Sequence, residues 1–166
     1  MGPLSTAPVD ARGRVRGRTL VVVGGGLEAV PGIRRARELG LRVVLTDGSA
    51  DCPGRGIADA FLQVSTYDRG GTVEALRQSG ESFHGAICIA TDVPLTVATI
   101  ADLWGLPGLS IRSASLASDK IEMKCRLRDH GVPIPWFDVV SSVSALSEAR
   151  ESASSLLILK PADSRG

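Results

Sequence analysis

Apolar positions along this chain fall in short unbroken runs, and between them apolar residues recur at helical spacing. Thr19-Leu20-Val21-Val22-Val23 is apolar or β-branched throughout and runs into three glycines. A run without alternation marks a strand buried on both faces. Residues 28–39 then place Ile33, Ala36 and Leu39 on one side of a helix that Gly40 stops. Residues 41–46 form a second such run, broken by Asp47-Gly48, and a third, less regular one covers 60–65. The spacing of Val73 and Leu76 predicts a helix over 69–78. A fourth run covers 85–90, and Leu95, Ala98 and Leu103 predict a helix over 94–104. Strands of this kind separated by helices pair in parallel, because parallel neighbours need crossovers. The pattern predicts a doubly wound α/β domain over residues 18–112.

Beyond residue 112 the pattern changes. Residues 118–130 form a charged helix carrying Ile121, Met123, Cys125 and Leu127, ended by Gly131-Val132-Pro133-Ile134-Pro135. Strands are expected at 136–140 and 156–160, with a helix over 143–150 between them. Upstream, residues 1–17 are rich in Pro, Gly, Ser and Arg and lack any apolar period. They predict a solvated, disordered tail whose positive charges belong to the basic cluster Arg12, Arg14, Arg16 and Arg18.

Composition narrows the class only a little. Of the 166 residues 43% are apolar and 22% charged, with a formal charge of +1. That balance offers no general field for nucleic acid or an acidic membrane. No apolar run is long enough to span a bilayer. Cys52, Cys88 and Cys125 stand far apart without a C-x-x-C pair, which suits a reducing cytoplasm. His84 and His130 are isolated from each other and from acidic clusters, so no metal site is expected.

Two places at the ends of strands could carry chemistry. The first is Gly24-Gly25-Gly26-Leu27-Glu28-Ala29, between a strand and a helix. Glycines let backbone come close to a ligand, and the helix start presents unpaired N–H groups. As G-x-G-x-x-A the segment also fits a dinucleotide fingerprint, with Asp47 ending the second strand where a ribose-binding acid would stand. Against that fit, Glu28 sets a carboxylate where a pyrophosphate would lie. The second place is Thr91-Asp92, just beyond the fourth strand. Open parallel sheets bind ligands outside the carboxyl ends of their strands, so Thr91 and Asp92 are expected in one cleft with Gly24, Gly25, Gly26 and Glu28. Thr and Asp at such a place also serve as helix caps.

The segment after residue 112 is more specific. Ser118-Asp119-Lys120 opens a helix, Met123-Lys124 follows one turn on, and the Gly131-Val132-Pro133-Ile134-Pro135 turn comes next. Leu157-Ile158-Leu159-Lys160-Pro161 then runs into Asp163-Ser164-Arg165-Gly166. This ordered set resembles the ATP-grasp superfamily, which includes biotin carboxylase, carbamoyl-phosphate synthase, the purine-pathway carboxylases and the amino-acid ligases. The resemblance implies that Lys120 and Lys160 bind the phosphates of ATP, with Ser164, Arg165 and Gly166 in the covering loop. A lysine is a point cation suited to a polyphosphate. The resemblance also implies that residues 18–112 are the Rossmann-like domain preceding the grasp, and that residues 113–166 begin the ATP-grasp fold. Gly24, Gly25, Gly26, Glu28, Thr91 and Asp92 would then face the acceptor substrate. The chemistry that the resemblance implies is ATP- and Mg²⁺-dependent activation of a carboxylate as an acylphosphate, from which an amine or another nucleophile then displaces phosphate. The family's adenine-side segment and magnesium-binding acids find no counterpart in these residues, so the chain alone is expected to be inactive. Exposed edges and apolar surface in 113–166 predict that the chain aggregates or forms a homodimer through this region. A nicotinamide-dependent oxidoreductase domain and a non-catalytic α/β binding module remain the alternative readings.

Overall fold

The computed structural model describes Val15, residues 17–153 and residues 156–162. The chain divides into two compact units, Met1–Ala114 and Ser115–Gly166.

In the first unit, β1 (Thr19–Val23), β2 (Arg42–Asp47), β3 (Ala60–Gln63) and β4 (Gly85–Cys88) form a wholly parallel sheet in the order β3-β2-β1-β4. Register is set by Val21 opposite Val44 on one side and Ala86 on the other. The unbroken apolar runs are explained by burial on both faces. Val22, Val43 and Leu45 pack with Ala29, Ile33 and Ala36 beneath α1 (Val30–Glu38). On the opposite face, Val21, Val23 and Val44 pack with Leu76 of α2 (Arg69–Gln78) and Ile100 of α3 (Pro94–Leu103). Each fully buried valine or leucine side chain contributes about 1.5–3 kcal/mol relative to exposure, so these central strands anchor the unit. The expected sheet with helices on both faces is formed.

Differences from the sequence pattern lie at the ends of elements. The helix after β1 opens with a 3-10 turn at Leu27–Ala29 before α1 begins. The fourth strand stops at Cys88, because Ala90 takes a left-handed backbone (φ 55) that cannot continue the ladder. Within the stretch expected to be a tail, Val15 donates its N–H to the Leu39 carbonyl at 2.6 Å. The rest of that stretch, residues 1–14 and 16, lies outside the described residues.

Helix α4 (Ile111–Ser118) was not foreseen as a separate element and spans the junction of the two units. It ends where Asp119 takes an extended backbone and caps α5 (Lys120–Asp129), its carboxylate accepting from the N–H groups of Ile121 and Glu122. The second unit continues to α6 (Val143–Ser152), capped by Ser142. The strands expected at 136–140 and 156–160 are not formed. Both segments are irregular, and no backbone ladder reaches them among the described residues. Apolar content alone does not make a strand; a partner must take up the N–H and C=O groups.

Candidate functional site

The sheet order places a topological switch between β1 and β4. The chain leaves β1 toward β2 on one side, whereas β4 is reached by the crossover through α2 on the other. Loops leaving adjacent strands in opposite directions open a crevice at the carboxyl edge. The two loops at that crevice are the glycine loop and residues 89–93, the pair expected from the sequence.

They meet at Gly24 and Thr91. Gly24 holds φ +95, and a Cβ built there would fall on Thr91 Oγ1, 2.9 Å from its Cβ and 3.1 Å from its Cγ2. Glycine is therefore required twice, by conformation and by the approach of Thr91. Gly25 is buried and its backbone is fully engaged: its N–H donates to Asp47 Oδ2 at 2.7 Å, and its carbonyl accepts from Gly54 N–H at 2.8 Å. Beyond it, the N–H groups of Gly26, Leu27 and Glu28 make no hydrogen bond among the described residues. Glu28 and Asp92 are exposed, and neither carboxylate enters an ion pair or hydrogen bond among those residues. Neither Thr91 nor Asp92 caps α3. The N-cap is Val93, which makes no side-chain cap bond, and Pro94 opens the helix. The crevice thus offers three free backbone donors beside two free carboxylates, a set suited to a neutral or cationic polar ligand.

Asp47 has a different role from the one the dinucleotide fingerprint would assign it. Its second oxygen, Oδ1, accepts from Ser49 N–H at 2.8 Å, so both oxygens are engaged in holding loops. Together with the free carboxylate of Glu28 at the loop, this disfavours a pyrophosphate and its ribose. Three features here had no signal in the sequence beyond residue type: the Asp47 contacts, Cys52 and Gly54 packed beneath Gly25, and the left-handed Ala90. Burial raises the Cys52 thiol above its usual range, and the charge of Asp47 adds to the effect.

The second unit brings its two lysine segments together. Lys120 stands at the first position of α5, and its N–H donates to the Ala162 carbonyl at 3.0 Å. That bond ties the Lys160-Pro161-Ala162 segment to the start of the helix. With Asp119 engaging Ile121 and Glu122, the first N–H groups of α5 are all satisfied. Any anion there would be held by the lysine side chains rather than by open helix donors. Lys160 is exposed, and the ammonium of Lys124 lies 4.9 Å from the centre of the Phe137 ring. Ser164, Arg165 and Gly166 lie outside the described residues. No group of three or more His, Cys, Asp or Glu able to hold a metal occurs among the described residues. None of their helices is long and apolar enough to cross a membrane.

No protein-family model and no curated protein matches this sequence at a significant level. Solved structures do match. The chain is similar to N5-carboxyaminoimidazole synthetase from Staphylococcus aureus complexed with ADP, at 24% identity and TM-score 0.64, over 82% of this chain and 36% of that one. It is similar to phosphoribosylglycinamide synthetase from Anaerococcus prevotii at 24% identity and TM-score 0.66, over 81% and 34%. Its likeness to L-amino acid ligase from Bacillus licheniformis has 19% identity and TM-score 0.68, over 90% and 38%. The chain spans little more than a third of the length of these structures. At this level of identity the likeness is one of fold: the chain shares its fold with part of each of these synthetases and of the amino acid ligase.

Proposed function

We propose that this chain forms the acceptor-side domain and the opening of the nucleotide-binding fold of an ATP-dependent ligase, one that joins a carboxylate to an amine through an acylphosphate. The observation that carries the proposal is the pairing of the lysine segments in the second unit, where Lys120 N–H holds the Ala162 carbonyl two residues beyond Lys160. A dinucleotide-binding domain gives neither lysine a role. Lys120, Lys160 and the residues that follow would hold the phosphates of ATP, which supplies the phosphoryl group that activates the carboxylate. Gly24, Gly25, Gly26, Glu28, Thr91 and Asp92 would line the acceptor site, with the free N–H groups and carboxylates orienting a polar amine. The described residues offer no cluster for Mg²⁺, and no step is assigned to it. The chain by itself is expected to bind ATP feebly and to lack activity.

Nitrogen-15 NMR titration of the chain tests this. ATP at millimolar concentration should shift the amides around Lys120 and residues 156–162, and Lys160→Ala should diminish those shifts. The glycine-loop amides should stay in place. Shifts confined to residues 24–29 on adding NADH, with none from ATP, would overturn the ligase reading in favour of an oxidoreductase domain.

A further inference from the structure

We propose that Asp47 latches the glycine loop to the β2–β3 loop, so that the two open and close as one element. The latch is a property of the fold and holds whatever chemistry occupies the crevice. Its basis is where the bonds of Gly25 go. Neither backbone group of Gly25 bonds within its own loop. The N–H goes to Asp47 Oδ2 at 2.7 Å, and the carbonyl takes Gly54 N–H at 2.8 Å. The same carboxylate, through Oδ1, holds Ser49 N–H at 2.8 Å. One side chain at the end of β2 therefore grips a backbone N–H in each of the two loops.

Packing reinforces the grip. A Cβ at Gly25 would lie 2.8 Å from Cys52 Sγ and 2.8 Å from Leu45 Cδ2, and a Cβ at Gly54 would lie 3.2 Å from Gly25 Cα. The backbones of Gly25 and Gly54 are thus in direct contact, with the side chains of Cys52 and Leu45 packed against them. The β2–β3 loop is itself stitched, with Cys52 N–H on the Ser49 carbonyl at 3.3 Å and Ile57 and Ala58 N–H on the Gly54 carbonyl at 3.1 Å each. Gly25 is bonded to that stitched loop directly through its carbonyl, on Gly54 N–H, and through its N–H to Asp47, whose other oxygen holds Ser49. The free donors of Gly26, Leu27 and Glu28 begin at the next residue, so their direction follows Gly25. The β2–β3 loop lies on the side of β1 away from β4, and in this way it sets the geometry of a crevice that it does not line. Cys52, 7% exposed, sits beneath the junction and reports its opening. The raised pKa of its thiol keeps it less reactive while the junction is shut.

The test compares the full chain with Asp47→Asn and Asp47→Ala. Iodoacetamide labelling is read separately at Cys52, Cys88 and Cys125, and amide exchange at peptides covering 24–29 and 49–58. Losing hydrogen bonds to a charged group, together with the charge that raises the Cys52 thiol, should speed Cys52 labelling in Asp47→Ala at least about tenfold, with Cys88 and Cys125 changed by less than about twofold, and the amide exchange separates opening from the change in charge. Exchange in both loops should accelerate by a similar factor, and Asp47→Asn, which keeps one strong acceptor, should fall between. Acceleration of one loop without the other overturns the latch, as does an unchanged Cys52. Should Asp47→Ala fail to fold, Asp47→Asn preserves volume and decides by the same readings. Equal acceleration at all three cysteines in Asp47→Asn would show Asp47 to be a general stabiliser and would overturn the proposal.

Discussion

Gly24→Ala isolates the contact that joins the two crevice loops. Two costs are separable. An L-residue forced to a left-handed backbone loses about 1–2 kcal/mol, and Gly24 holds φ +95. An added methyl in a filled space costs about 1–3 kcal/mol. Here the methyl would meet the Thr91 hydroxyl, Cβ and Cγ2 together, so no rotation of that side chain clears it. Thr91 cannot easily withdraw either, because Ala90 before it already holds φ 55 and the Thr91 carbonyl accepts from Val93 N–H at 2.9 Å. The sum is a destabilisation of about 2–5 kcal/mol. Thr91→Gly removes the obstacle but not the strain, so in that background Gly24→Ala should cost only about 1–2 kcal/mol. Urea titration of the four proteins, followed by circular dichroism, gives both numbers if the slopes agree. A cost below about 0.5 kcal/mol for Gly24→Ala, or effects of the two substitutions that simply add, would refute the argued contact.

Further outcomes follow from other residues. Thr46 is fully buried and its hydroxyl has no partner among the described residues, so Thr46→Val should raise the melting temperature through a gain of about 1 kcal/mol; a fall would show that the hydroxyl is satisfied. Arg42 donates to Glu81 at 2.7 and 2.9 Å and holds its carboxyl below the usual range. Glu81→Gln should therefore cost about 0.5–1 kcal/mol at neutral pH, discounted because Arg42 is half exposed. That stabilisation is complete above the ordinary glutamate value of about 4.3 and declines below it, vanishing once the pH passes the lower folded value. A gap between the two proteins that persists or widens in acid would refute the pairing. In the second unit Leu156 is 99% and Ile158 82% exposed within an unpaired segment. Concentration-dependent association is expected in sedimentation equilibrium, relieved by Ile158→Lys; a chain that stays monomeric at high concentration would contradict it.

What the sequence by itself determined is the layered first unit. Val21, Val22 and Val23 have no polar alternation, and a strand of that kind is stable only between two covering layers. The strand–helix order then leaves parallel pairing as the natural outcome. The α2 helix was legible to the residue, Arg69–Gln78, because its apolar period and its flanking turns are local. The carboxyl-edge loops were legible as candidates for the same reason: glycines after a strand and Thr91-Asp92 after another are visible in one dimension. Which bonds they make was not. Thr91 meets Gly24 across 67 residues of chain, and Asp47 reaches Gly25 across 22, distances over which no local period carries information. The register of the sheet alone brings them together, and it turned Asp47 from a presumed ligand contact into a brace. The second unit shows the converse. Residues 136–140 and 156–160 have the composition of strands, yet a strand exists only when a neighbour accepts its backbone, and among the described residues no neighbour does. Apolar periodicity reports which faces are to be buried; the tertiary structure decides what buries them.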